Sequence, residues 1–418
     1  MKLLSRLLKT VIRVGTLTVT DAHGQTHVFQ GRPGPTAAFK ITDPSLHRRL
    51  ALNPELAVGE AVMDGTLQPV DCSLYEVLEL LMSNRSNLRH SGWQSVLMHA
   101  NKLLRRVHQH NSMRRAKTNV AHHYDMSNEL YRMFLDEDMQ YSCAYFRSPD
   151  DTLEQAQLQK KLHIASKLDL KPGQRVLDIG CGWGGMAMTL AELTGVEVLG
   201  ITLSNEQLNL ARQRVAERGL DDRVRIEAMD YRAVTGPFDR IVSVGMFEHV
   251  GVAHYDTFFA KVQELLTDDG VALLHSIGRC DPPGGTNTWL RKYIFPGGYT
   301  PALSETMASV ERTELWVTDI EIWRLHYAET LRHWRRRFMA NRDRVVALLD
   351  ERFCRMWEFY LVICELNFRL EAGEVFQMQL TRDRSAVPQT RDYMVEAEQR
   401  LLDQARTREP VPRHDAAE

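Results

Sequence analysis

No stretch of these 418 residues contains the run of about 20 apolar side chains that a membrane-crossing helix needs. The N-terminus, MKLLSRLLKTVIRV, lacks an uninterrupted apolar core followed by a small-residue cleavage site, so a cytoplasmic location is expected. Cysteine is scarce. The six are scattered, with no CxxC pair and no His/Cys ligand cluster, which fits reduced thiols rather than a disulfide framework or a zinc site, and no metal is expected. Acid is missing locally: although the net charge is -2, no Asp or Glu lies between Glu79 and Asp125, where eight Lys and Arg and six His fall.

Within that basic run Trp93, Val96, Leu97, Ala100, Leu104 and Val107 recur at helical spacing, giving one apolar face with cationic flanks. The pattern fits a helix lying on anionic lipid headgroups, and by pattern alone it fits better a core-packed helix with a solvated basic back. KLLSRLLKTVIRV, residues 2 to 14, raises the same pair of readings. No nucleic-acid motif accompanies the charge, so no nucleic-acid partner is expected.

What is present is the composition of an ordinary globular protein, 44% hydrophobic and 25% charged, long enough for two domains. GTLTVTDAHGQTHVFQ alternates around a turn at Asp21 to Gly24 and predicts a hairpin. AFKITD reads as a strand, a helix follows from about Ser45, and a second runs from Asp71, read as its N-cap, through Leu74, Val77, Leu78 and Leu81. Residues 1–110 are thus expected to form a small α+β domain, and 111–120 a linker. From about 150, helices alternate with short apolar strands at RVLDIG, VEVLGITL, VRIEAMD, FDRIVSVGMF and GVALLHSIG, which argues for a parallel α/β sheet with helices on both faces. Ser204 and Gln207 are read as a capping box. The expected larger domain spans 121–385, and the polar segment 386–418 is read as a tail whose last ten residues lack fixed structure.

Two stretches carry chemistry. VLDIGCGWGG places Asp178 before Gly180, Gly182 and Gly184, where backbone must turn tightly and approach a ligand. This GxGxG spacing after an acid-bearing strand resembles motif I of class I S-adenosylmethionine-dependent methyltransferases, which implies a Rossmann-like doubly wound sheet. Most such enzymes end the second strand in an acid, whereas this chain reads Gly200-Ile201-Thr202-Leu203-Ser204, leaving Thr202 and Gln207 as candidate hydrogen-bonding substitutes. The second stretch is GMFEHVG, with Glu248 and His249 in an apolar segment. Glu248 is a candidate functional carboxylate or a buried acid satisfied by backbone N–H groups; His249 is read as structural.

Taken in order, HHYDMSNELY, MQYSCAYF, VLDIGCGWGG, GITLSNEQ, GMFEHVG, LLHSIG, KYIFPGG and HYAETL resemble the cyclopropane-fatty-acyl-phospholipid synthase family over about residues 118–380. The N-terminal 110 residues are similar to the sterol-carrier-like accessory domain of its longer bacterial members. The family also lacks the second-strand acid. The resemblance implies transfer of a methylene unit from S-adenosylmethionine to the double bond of an acyl chain in a membrane phospholipid, with bound bicarbonate as base. It implies that Cys143, Glu248, His275 and Tyr327, with backbone around Cys143 and Ile277, hold that anion. It places Tyr141 and Ser142 at the methionine end of the cosubstrate, Asp178, Gly180, Gly182 and Gly184 in the loop, Thr202, Leu203 and Gln207 at the ribose and adenine, and Met229 and Asp230 flanking the adenine. Family members often have Trp or Gln at the position of Met229. Cys364, in WEFYLVICELNF, matches a cysteine once assigned as the family's nucleophile, but its apolar helix reads as a core position.

The segment 278–305 is rich in Pro and Gly and carries Trp289, Tyr293, Phe295 and Tyr299; it reads either as a lid lining an acyl tunnel or as a surface loop whose aromatics pack. The implied partners are unsaturated phospholipid at the inner, anionic membrane face and a second copy of the chain in a homodimer. A same-family C-methyltransferase leaving a methyl or methylene branch is the alternative activity, since one cation can lose different protons.

Overall fold

Alternation dictates the first sheet: β1 (Val14–Thr20) turns Leu17 and Val19 inward, and β2 (Thr26–Gln30) pairs antiparallel with it as the hairpin expected from sequence. Asp21 closes the turn by accepting from the N–H groups of His23 and Gln25 at 2.9 and 3.0 Å. The structure, a computed structural model, describes residues 1–90 and 127–407, so the basic helical pattern at 93–107 and the linker at 111–120 lie outside the described residues.

β3 (Arg32–Ile41) runs parallel to β1 on its other side, and β4 (Leu67–Pro69) completes a sheet of order β2-β1-β3-β4. Around it lie α1 (Lys2–Val11), α2 (Leu46–Leu52), α3 (Pro54–Met63) and α4 (Leu74–Ser83). In α1 the apolar stripe Leu4, Leu8 and Val11 is buried in the core, so that stripe packs inward. The N-cap of α4 is Ser73, not Asp71: Ser73 and Glu76 form a reciprocal capping box, while Asp71 adopts φ 54° just upstream.

The second unit begins with α5 (Asn128–Arg132) and α6 (Leu153–Lys167), then alternates β5 (Arg175–Ile179), α7 (Gly185–Thr194), β6 (Glu197–Thr202), α8 (Asn205–Glu217), β7 (Val224–Ala228), β8 (Phe238–Val244), α9 (Tyr255–Leu265) and β9 (Leu266–Arg279). It continues through α10 (Thr288–Tyr293), α11 (Leu303–Val310), β10 (Trp316–Trp323), α12 (His326–Ala340), α13 (Arg342–Leu348), α14 (Glu351–Leu370), β11 (Gly373–Thr381) and α15 (Asp392–Thr407). The sheet order is β10-β11-β9-β8-β5-β6-β7; β11 is the reversed strand. Helices cover both faces, as the α/β reading expected. The chain order reverses between β5 and β8, which opens a crevice at their carboxyl ends where such sheets bind ligands.

Three departures from the expectations have physical causes. Ser204 caps α8 by accepting the Gln207 N–H, but the box is half made because the Gln207 side chain bonds Thr202 instead. The segment read as a polar tail contains α15, which buries Met394, Leu401 and Leu402; its apolar residues are too sparse to stand out but fall on one face. In the Pro/Gly-rich segment Trp289 is fully buried: its ring fills the space left by the missing side chain of Gly59 on α3, and its indole N–H points to Met63 Sδ at 3.2 Å. Trp289 therefore joins the two units, with help from Tyr293 and Lys292 on Glu60 and Arg355 on the Met63 carbonyl.

Candidate active site

The crevice is a cavity walled by the loop after β5, the ends of β6, β7 and β8, and the segment Met139 to Ser142. Gly180, Gly182 and Gly184 all have positive φ, a backbone that side-chain-bearing residues rarely adopt. At Gly182 a Cβ would meet nothing within 4 Å, so the backbone there faces open space. Gly184 differs from expectation. It is absent from the cavity wall and caps α7, where a Cβ would come 3.3 Å from Ala211, so its smallness serves helix packing.

Of the other expected cosubstrate residues, Tyr141, Ser142, Asp178, Gly180, Gly182, Thr202, Leu203, Gln207, Met229 and Asp230 all line this cavity. Asp178 is buried, burial pushes its carboxyl up to about 7, and its Oδ2 has no hydrogen-bond partner among the described residues. An orphaned acceptor in a cavity wall suits a cationic ligand group. Thr202 Oγ1 donates to Gln207 Oε1 at 2.9 Å, which leaves the Gln207 amide as a donor. Asp230 is held by Arg232 through both oxygens at 2.8 and 2.6 Å, and the Arg232 hydrogen bonds keep its carboxyl below the usual range against the opposing cost of burial.

His249, read as structural, belongs to the same wall, and burial pushes its pKa down to about 4, so it is neutral. Lys160 escaped notice in the sequence. Fully buried on α6, it donates to Gln140 Oε1 at 2.7 Å and Ser142 Oγ at 2.9 Å, and lies within electrostatic reach of Asp178, Cys143 and His275. Burial pushes its ammonium down to about 7. The missed signal is positional: Lys160 and Lys167 fall on the helix face of Leu153, Ala156 and Ile164, where only a partnered charge is tolerated.

Glu248 sits on the turn after β8 among residues of the cavity wall. Its Oε1 accepts the Ile277 N–H at 2.6 Å, Oε2 is buried without a partner among the described residues, and burial pushes the carboxyl up to about 7. The Ile277 N–H, expected among the anion's donors, is thus given to Glu248. Ile277 follows His275 by two residues on β9, so both side chains share a face of the sheet. His275 is held neutral, first by burial and then by Lys160 and Lys167. Cys143 is buried beside Thr330, whose Oγ1 accepts the Ala144 N–H at 3.0 Å; burial raises its thiol pKa well above the ordinary value, so it is not a thiolate. Tyr327 lies one helical turn from Thr330 on α12 and packs on Phe368 and Trp334. Cys364 packs in the core with α14, its thiol pushed up to about 12 by burial, which is the condition of an inert core cysteine.

Tyr141, in the cavity wall, belongs to a packed aromatic cluster. Tyr141 stacks on Trp334, touches Tyr131 and Phe134 edge-on, and shares a 2.8 Å hydroxyl contact with Tyr360, against which Phe295 packs. Of the four aromatics expected in the lid, Phe295 is the one placed here; Tyr299 instead donates its hydroxyl to Glu305 at 2.6 Å.

Comparison with known proteins follows the same lines. The family model "Mycolic acid cyclopropane synthetase" matches residues 111–378. The chain is 39% identical over 348 residues to the cyclopropane-fatty-acyl-phospholipid synthase of Escherichia coli K12, covering 83% of this chain and 88% of that one. It is 45% identical over 258 residues to a probable fatty acid methyltransferase of Pseudomonas putida, a match spanning 60% of this chain and 65% of that relative. Among solved structures it resembles mycolic acid cyclopropane synthase CmaA1 complexed with SAH and CTAB, with TM-score 0.60, 36% identity, and coverage of 63% of this chain and 97% of that one. The glycine loop, the cavity beneath it and the match over the greater part of its length agree: this chain is an S-adenosylmethionine-dependent methyltransferase and belongs to the mycolic acid cyclopropane synthetase family.

Proposed function

We propose that the protein transfers a methylene unit from S-adenosylmethionine to the double bond of an unsaturated acyl chain in a membrane phospholipid, closing a cyclopropane ring with bicarbonate as the base. The observation that carries this reading is the unpartnered, buried Oε2 of Glu248 on a turn whose neighbours wall the cosubstrate cavity. When bound, S-adenosylmethionine supplies an electrophilic methyl carbon on a sulfonium. Asp178 and the glycine loop would hold it, with Gln207 donating to its nucleoside end.

An alkene is a poor nucleophile, so the chain contributes position and dryness rather than an activated side chain. Tyr141, in the cavity wall, would offer an aromatic ring to the positive charge that develops on the alkylated acyl chain. A base beside that cation must not itself be alkylated. A small anion would meet this need, and Glu248 through Oε2, with His275 and Tyr327 as hydrogen-bond donors, would hold it. Cys143 bounds the site as an uncharged thiol. Held there, the anion would supply a base for the proton lost from the new methyl group.

A second reading, a methyl- or methylene-branched product, draws on the likeness to a probable fatty acid methyltransferase. The acceptor is reached from the membrane surface; among the described residues no helix is long and apolar enough to cross a bilayer. The test is incubation with S-adenosylmethionine and vesicles of unsaturated phospholipid, with and without bicarbonate, followed by mass spectrometry of the fatty acids. A ring product that vanishes when bicarbonate is removed supports the proposal; a branched product supports the second reading, and bicarbonate-independent turnover removes the anion from it. Vesicle binding that strengthens with anionic lipid and weakens with salt supports docking at a charged surface.

A further inference from the structure

β11 carries two polar residues, Gln377 and Gln379, that are almost wholly buried in the middle of the sheet. Buried amides of this kind are kept satisfied, and their partners fix which end is which. Gln377 stands opposite His275 in the antiparallel β11–β9 ladder, and the two side chains meet at 3.1 Å between the Gln377 amide nitrogen and His275 Nδ1. The other end of the amide lies 2.7 Å from Lys167 Nζ. An ammonium has only donors, so the atom facing it must be the amide oxygen. The reverse orientation would set an NH2 group against the ammonium. The amide nitrogen therefore faces His275 and donates, which makes Nδ1 an acceptor and leaves the ring proton on Nε2.

Burial lowers the Lys167 pKa, and its ion pair with Glu321 opposes that shift and favours the ammonium. Its Nζ also bonds Glu321 on β10, whose carboxylate accepts from His163 Nε2 at 2.7 Å, while His163 Nδ1 reaches Glu398 on α15 at 2.9 Å. Bonding to two carboxylates holds the His163 pKa above its ordinary value despite burial. Besides burial, Lys160, Lys167 and His163 oppose a positive charge on the His275 ring, with Glu321 acting the other way.

We propose that Gln377, oriented by Lys167, is a positioning residue that fixes His275 as the Nε2–H tautomer, so that His275 serves the active site as a neutral hydrogen-bond donor to an anion and not as a base. The inference rests on the function proposed above, in which His275 helps hold bicarbonate, and extends it to groups that never touch substrate. It also gives α15 a part: the helix supplies the last carboxylate of the chain that keeps Lys167 in place.

The experiment is nitrogen NMR of the full-length protein labelled with 15N-histidine, with the His275 signals assigned by their loss in His275→Gln. The expected result is an unprotonated Nδ1 and a protonated Nε2 from mildly acid to mildly alkaline pH. A wild-type spectrum with the proton on Nδ1, or with an imidazolium near neutrality, overturns the proposal whatever any variant does. Gln377→Met, of similar volume but without a donor, should let the proton distribute over both nitrogens and lower kcat by about tenfold or more, with the KM for S-adenosylmethionine changed less than about twofold. Gln377→Glu should move a proton onto Nδ1. If Gln377→Met folds and keeps both the wild-type tautomer and kcat, Gln377 is not the orienting group. Bicarbonate dependence of the wild type tests the functional reading separately: its absence would sink that reading while leaving the tautomer result to stand or fall alone.

Discussion

Glu248 accepts the backbone N–H of Ile277 at 2.6 Å through one carboxylate oxygen, while the other is buried without a partner among the described residues. The half-satisfied carboxylate is costly to keep, because burial disfavours its charge and the second oxygen gains nothing in return. Such a group has a use if a ligand completes it. Glu248→Gln keeps the shape and removes the charge; turnover should fall at least about 100-fold while the calorimetric Kd for S-adenosylmethionine stays within about threefold. Undiminished turnover would remove Glu248 from the reaction.

The pH dependence of activity follows from the same group. With its carboxyl pushed up to about 7, Glu248 is a full acceptor only when ionised, so turnover should climb as pH rises through about 7 in the wild type. A rate profile that is flat or falling across that interval contradicts an ionised Glu248.

Stability should run the other way. Asp178 and Glu248 both have folded-state pKa values raised by burial to about 7 from 3.8 and 4.5. The folded protein binds more protons than the unfolded chain across that interval, so their contribution is complete below the unfolded values and is lost as pH climbs through about 7. Asp178→Asn or Glu248→Gln should therefore stabilise the ligand-free protein at about pH 8 by an amount of order 3–4 kcal/mol each and raise its melting temperature, and the gain should shrink toward about pH 5. Thermal melts at the two pH values read it directly.

At the nucleoside end, Gln207→Leu removes the amide donor and leaves Thr202 Oγ1 without its acceptor. S-adenosylmethionine affinity should weaken about tenfold, the effect of roughly 1–2 kcal/mol from a lost buried hydrogen bond. Titration calorimetry measures it; an unchanged Kd would show that the second strand does not meet the nucleoside.

The junction between the two units is tested at Gly59. A Cβ there would lie 2.4 Å from the Trp289 indole and 2.7 Å from Phe359. Gly59→Val should destabilise the docked arrangement by about 1–3 kcal/mol, lower the melting temperature and expose the junction to protease, with S-adenosylmethionine binding preserved because the cosubstrate cavity is elsewhere. Loss of that binding would mean the two units fold as one.

Some of this was legible in the residues alone. Alternation drew the β1–β2 hairpin, and VLDIGCGWGG marked a strand, a turn and a helix that make a ligand loop, because only glycine enters positive φ three times in five residues without strain. Other features were hidden by their partners. Asp71 reads as a helix cap as well as Ser73 does until the backbone shows which side chain meets the N3 amide. Whether Trp289 is a lid aromatic or a packing one is open in the sequence until Gly59, far away along the chain, is seen to vacate the space its ring fills.

The sequence by itself determined the elements and the loop, since helical and strand periodicity and the glycine requirement are local properties of the chain. Tertiary structure alone decided which of the polar residues are satisfied and which are held ready. Lys160 and Gln377 are buried, and they and Glu398, which meets His163, find their partners elsewhere along the chain; the charge state and proton position of a buried group depend on neighbours that no local pattern names.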